Sequence, residues 1–134
     1  MAPIMSVRLT DVYPDGRSML IVDGIQRARM RCGDDQECFL DPGVPEEIEV
    51  DLWSTAMVFN TGHRIRVAIA GTNYPRFERN DNSGGDLNNP NYQVAQPDIL
   101  FGPQYPSAIL LPLPALFADG FESGDTSAWS AVSP

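Results

Sequence analysis

The chain has 134 residues with nine basic against 18 acidic side chains, a net charge of -9, and every basic residue is an arginine, which argues against a nucleic-acid or anionic-membrane surface. Its 43% hydrophobic content is broken up by 11 Gly and 12 Pro, so short strand-like segments alternate with turn formers, predicting an all-β sandwich rather than a helical bundle. No apolar run approaches the ~18 residues of a membrane span, and the opening residues lack the basic start and apolar block of a signal peptide.

From Ser6 to Tyr13 the period is that of a strand, with Val7, Leu9 and Tyr13 on one side and Asp11 interrupting that apolar side. A carboxylate there needs an arginine or a backbone partner, or a place at the sheet margin. Tyr13-Pro14-Asp15-Gly16 is a turn with a mechanism. Pro14 presets one dihedral, Asp15 tolerates the next, and Gly16 releases the chain into a second strand, predicting a hairpin. Arg17–Asp23 is apolar on both faces at Met19, Leu20, Ile21 and Val22, and Asp23-Gly24 marks a second turn or bulge. Ile25–Arg31 then places Arg27, Arg29 and Arg31 on one face of a basic strand.

Cys32 and Cys38 enclose Gly-Asp-Asp-Gln-Glu. A disulfide is the expected use, and so short a ring stabilises by about 2 kcal/mol in the chain-entropy model. Free thiols and a metal pair are the alternatives, the latter short of ligands because His63 is the sole imidazole. A disulfide would place the protein in an oxidising compartment.

In the centre, Ile48, Val50 and Leu52 alternate with Glu47, Glu49 and Asp51, which reads as a half-buried strand. Its acidic face matches Arg27, Arg29 and Arg31 in number and spacing, so the two segments are expected to be neighbours joined by a cross-strand charge ladder. Gly62 opens another strand with Ile65, Val67 and Ile69 inward and Arg64 and Arg66 outward. His63, at its start, reads as a loop histidine bonded to backbone: the chain has no G-x-S-x-G elbow to supply a nucleophile beside it.

From Asn73 the chain leaves the sheet for about twenty residues, a length that marks a functional or mobile loop. Tyr74 and Phe77 can bury there, while Arg76 and Arg79 can reach carboxylates. Asp81, Ser83 and Asp86 resemble a calcium loop only loosely, without its ligand spacing or terminal glutamate, and there is no phosphate loop, zinc spacing or dinucleotide fingerprint. No metal or cofactor is expected. Pro106–Pro112 reads as one more buried strand. Residues 114–134 form a polar, acidic tail with isolated Phe117, Phe121 and Trp129, leaving 1–113 as the folded domain. The stretch Phe117–Ser130 is similar to a tail found at the C-termini of exported bacterial proteins.

Three segments together, VRLTDVYPDGRSMLIVDGIQRARMR, EVDLWSTAMVFNTGHRIRVAIAGTNYPRFERN and PSAILLPL, resemble the C-terminal domain of the cocaine-esterase and X-prolyl dipeptidyl-peptidase family of serine hydrolases, over about residues 6 to 113. The resemblance implies a galactose-binding-like jelly-roll β-sandwich of mostly antiparallel strands. It also implies a partner, the α/β-hydrolase domain of the parent protein, which carries the Ser-His-Asp triad. None of the triad positions falls in this chain, and His63 does not match the family's catalytic histidine. The chain departs from the family in two ways. The family's sandwich starts with strands upstream of VRLTDV, so an incomplete jelly roll with edges prone to self-association is expected; and CGDDQEC is longer than the family's usual turn. The leading expectation is a non-catalytic brace of an exported hydrolase, extracellular or periplasmic, with Tyr74, Arg76, Phe77 and Arg79 as the domain-contact loop. The alternative is a carbohydrate-binding module stacking sugars on Trp53, Tyr74 and Tyr92.

Overall fold

The computed structural model describes residues 2–85 and 89–112, and the chain separates into two compact units, Met1–Ile99 and Leu100–Pro134. The tail with Phe117, Phe121 and Trp129, and Asp86 of the acidic loop, lie outside the described residues.

The first unit is built on three antiparallel strands, β1 (Ile4–Val12), β2 (Ser18–Arg27) and β3 (Arg64–Ala70), in the order β2-β1-β3. The predicted hairpin forms: the Tyr13 N–H donates to Arg17 O at 2.8 Å, the Gly16 N–H to Tyr13 O at 2.9 Å, and Gly16 takes φ +90°, a conformation a side chain would resist. A register shift falls between Leu9 and Thr10, which face Val22 and Leu20, so Ile21 is the extra residue of a bulge. The strand period alone did not place the shift there; Asp23-Gly24, the expected irregularity, continues β2 in register with Arg8 and Val7. Gly24 is instead a site of close approach, because a Cβ on it would stand 2.1 Å from the carbonyl oxygen of Asp51.

The core runs along β1 from the open end of the hairpin to its turn, where Ala2, Ile4, Met5, Leu9, Val12 and Ala28 are buried. β3 is different. Ile65, Val67 and Ile69, expected inward, are 48%, 41% and 43% exposed. They pair across the backbone with Asp11, Leu9 and Val7, but among the described residues no second sheet lies over them.

The basic and acidic segments do not form a ladder. β2 ends at Arg27, a single 3-10 turn occupies Ala28–Met30, and residues 46–60 make no strand. The turn aims Arg29 and Arg31 at backbone carbonyls, and their carboxylate partners are Glu37 and Glu46, each at 3.4 Å, rather than Glu47, Glu49 or Asp51. The acidic segment instead approaches β2 at Gly24, through the carbonyl oxygen of Asp51.

In the second unit, Tyr105 N–H donates to Gly102 O at 3.1 Å and the Ser107 hydroxyl to Leu100 O at 3.0 Å. Residues 106–112 are not the buried strand expected: they form no ladder, and Leu110 is 91% exposed. Pro106 and Pro112 lack the N–H groups that a ladder needs at either end.

Candidate functional site

Two of the buried aspartates, Asp11 and Asp23, organise the strands of the first unit, each answered by a side chain far along the sequence. Asp11, on β1, is 1% exposed, and His63 just before β3 places Nδ1 at 2.9 and 2.8 Å from its two carboxylate oxygens. A carboxylate only accepts, so Nδ1 carries the proton. The partner is therefore a carboxylate and not the backbone expected for this ring; the backbone bond of His63 is made by its own N–H, to Asn60 O at 3.0 Å. Tyr13 lies against the imidazole at 4.3 Å between ring centroids, and the Arg17 guanidinium covers Tyr13 at 4.8 Å. Arg17 in turn binds Asp15 through its backbone N–H at 3.0 Å and Nε at 2.7 Å, which holds the Asp15 carboxyl below the usual carboxylate range. The result is a column running from turn to sheet. An Asp–His pair resembles half of a hydrolytic relay, but among the described residues no hydroxyl bonds to this imidazole, and both cysteines are tied in a disulfide.

The second aspartate, Asp23 on β2, anchors the predicted contact loop. Asn73, itself buried, donates to Asp23 Oδ2 at 2.8 Å and accepts from Arg8 Nη2 at 3.0 Å, while Arg76 Nη2 reaches Asp23 Oδ1 at 3.2 Å. One amide thus ties the loop's root to β1 and β2, and Phe77 N–H closes the first turn on Asn73 O at 3.1 Å. Above this base the four predicted contact residues pair off. The Arg79 guanidinium lies over Tyr74 at 4.6 Å and that of Arg76 over Phe77 at 5.6 Å. Tyr74 is 59% exposed and Phe77 half-buried, so the loop presents the Tyr74–Arg79 pair to its surroundings and keeps Phe77 partly covered. Asn73 escaped sequence reading; its signal was a polar residue at the exit of a strand, which fits many loops.

Cys32 and Cys38 form a disulfide. Trp53, Tyr74 and Tyr92, the candidate sugar platform, are all exposed and belong to separate stretches of chain, with Tyr74 already covered by Arg79. Trp53 sits at φ +63°, where its N–H is fixed by Asp51 Oδ1 at 2.7 Å. In the acidic loop, Asp81 is buried and its carboxylate accepts from the Ser83 hydroxyl, so that oxygen is engaged within the loop. Among the described residues no group of three metal-ligating side chains converges.

Residues 2–110 match the family described as the X-Pro dipeptidyl-peptidase C-terminal non-catalytic domain. The chain is also similar to cocaine esterase of Rhodococcus sp. (strain MB1 Bresler), 36% identical over 111 residues that make up 81% of this chain and 19% of that enzyme. It thus spans about a fifth of the length of that relative.

Proposed function

The chain belongs to the family of X-Pro dipeptidyl-peptidase C-terminal non-catalytic domains, and from that premise we propose that it braces the catalytic domain of a serine hydrolase through the Tyr74–Arg79 loop. The reaction, hydrolysis of an ester or an X-prolyl dipeptide, belongs on this reading to an α/β-hydrolase domain of the parent protein. The observation that carries the proposal is the loop itself: exposed Tyr74, Arg76 and Arg79 beside a half-buried Phe77, on a root fixed by Asn73 to two strands. Exposed aromatics and arginines on a rigid base are what interfaces use as anchors, since little conformational entropy is lost on docking. The Cys32–Cys38 disulfide supports a place outside the cytoplasm, in an extracellular or periplasmic compartment.

The test uses the full-length parent with Arg76 and Phe77 both replaced by Ala. We expect the catalytic domain to melt earlier and turnover to fall after mild heating. Melting and turnover identical to the unmodified enzyme would remove the bracing role.

A further inference from the structure

We propose that the Cys32–Cys38 disulfide is a redox-operated clasp that holds the 80–85 loop on the open end of the hairpin, and that a dithiol releases this loop while the strands stay folded. The loop docks through two sets of contacts. On one side Asn80 Nδ2 donates to Ala2 O at 2.6 Å and the Ala2 N–H to Asn82 O at 3.3 Å. On the other, Arg29 Nη1 donates to Gly85 O at 3.0 Å, and the Phe39 ring fills the space a side chain would need at Gly84, its Cε1 standing 2.8 Å from where a Cβ would lie. That second set depends on the segment the disulfide closes. The Cys38 N–H donates to Arg29 O at 2.6 Å, Arg31 donates to the carbonyls of Cys38 and Phe39, and Glu37 pairs with Arg29 at 3.4 Å.

Arg29 makes the coupling physical. Its side chain is only 9% exposed, and Glu37, inside the disulfide ring, is its carboxylate partner. Opening the ring frees Glu37 to leave, and a buried guanidinium without a counter-charge turns outward to water, taking its hydrogen bond away from Gly85. Phe39, one residue beyond Cys38, loses its fixed approach to Gly84 at the same time. Cys32 is exposed and Cys38 half-buried, so attack is assigned to the Cys32 side. A dithiol's thiolate attacks Cys32 Sγ, the S–S bond breaks and Cys38 leaves as a thiolate. The reductant's second thiol, as thiolate, then displaces Cys32 from the mixed disulfide. Two electrons pass to the protein, which ends with two thiols, and the reductant ends as its own disulfide.

Hydrogen exchange of the full-length chain, oxidised and after treatment with dithiothreitol, tests the clasp. Reduction should speed amide exchange across residues 36–40 and 80–85 on the order of tenfold, leave β1 and β2 protected, expose two titratable thiols, and reverse on reoxidation. Cys32→Ser with Cys38→Ser should give the reduced pattern without reductant. Phe39→Ala should loosen 80–85 while the disulfide stays intact, because it removes the ring seated against Gly84. Unchanged protection of 80–85 on reduction would overturn the proposal. So would loss of protection in β1 and β2 together with the loop, since the bond would then be a staple of the whole fold.

Discussion

Asp11 illustrates how far a single residue's needs can be read before its partner is known. A carboxylate on the apolar side of a strand had to be answered, and it is answered by the chain's one histidine, 52 residues away. The need was legible because it is a property of one position; the partner was not, because it depends on β3 pairing with β1 so that Ile65 faces Asp11. Removing the imidazole leaves an uncompensated buried charge, so His63→Ala should lower unfolding free energy by about 3 kcal/mol. Chemical denaturation checks this, and a cycle with Asp11→Ala should show the two losses to be far from additive. Ser6 gives the opposite case. It is fully buried on β1, and its hydroxyl has no hydrogen-bond partner. Ser6→Ala should therefore raise stability by about 1 kcal/mol, read as a higher denaturation midpoint at unchanged slope.

At the level of elements, β1 and β3 are visible as alternating segments, the turn by its residues, and the first part of β2 as a continuous apolar run, although Met19 and Leu20 in that run are exposed. The segment around Ile48–Leu52 shows the same alternation and makes no strand. Alternation states which side chains are apolar; it does not supply a neighbour whose backbone groups complete a ladder. The arginine segment fails for a related reason. Regular spacing of three like charges suggested a strand face, whereas Arg29 and Arg31 satisfy carbonyls only if the chain coils at Ala28–Met30. What brings the acidic segment to β2 is the bare backbone of Gly24 beneath Asp51. Gly24→Ala would force the two chains apart, and we expect a loss of about 1–3 kcal/mol with the strands themselves retained, measured by thermal melting and circular dichroism.

For the molecule as a whole, the sheet has β1 at its centre and β2 and β3 as its outer strands. The edge of β3 away from β1 has no paired strand among the described residues, and Ile65, Val67 and Ile69 are half exposed along it. An edge of this kind recruits other strands. At high protein concentration two copies should pair through β3, giving a dimer in sedimentation velocity that Val67→Lys abolishes; a monomer at every concentration would refute this. The net charge of -9 opposes such pairing at long range, so the dimer should strengthen with added salt. The two buried aspartates of the hairpin, Asp11 and Asp23, carry a last implication, for the order in which the chain is made. Translation delivers both strands of the hairpin long before it delivers His63 and Asn73, 52 and 50 residues behind the acids they serve. A nascent hairpin therefore emerges with Asp11 served by water and Asp23 facing only Arg8 across the strands, and the arrival of an imidazole and an amide from downstream completes both sites.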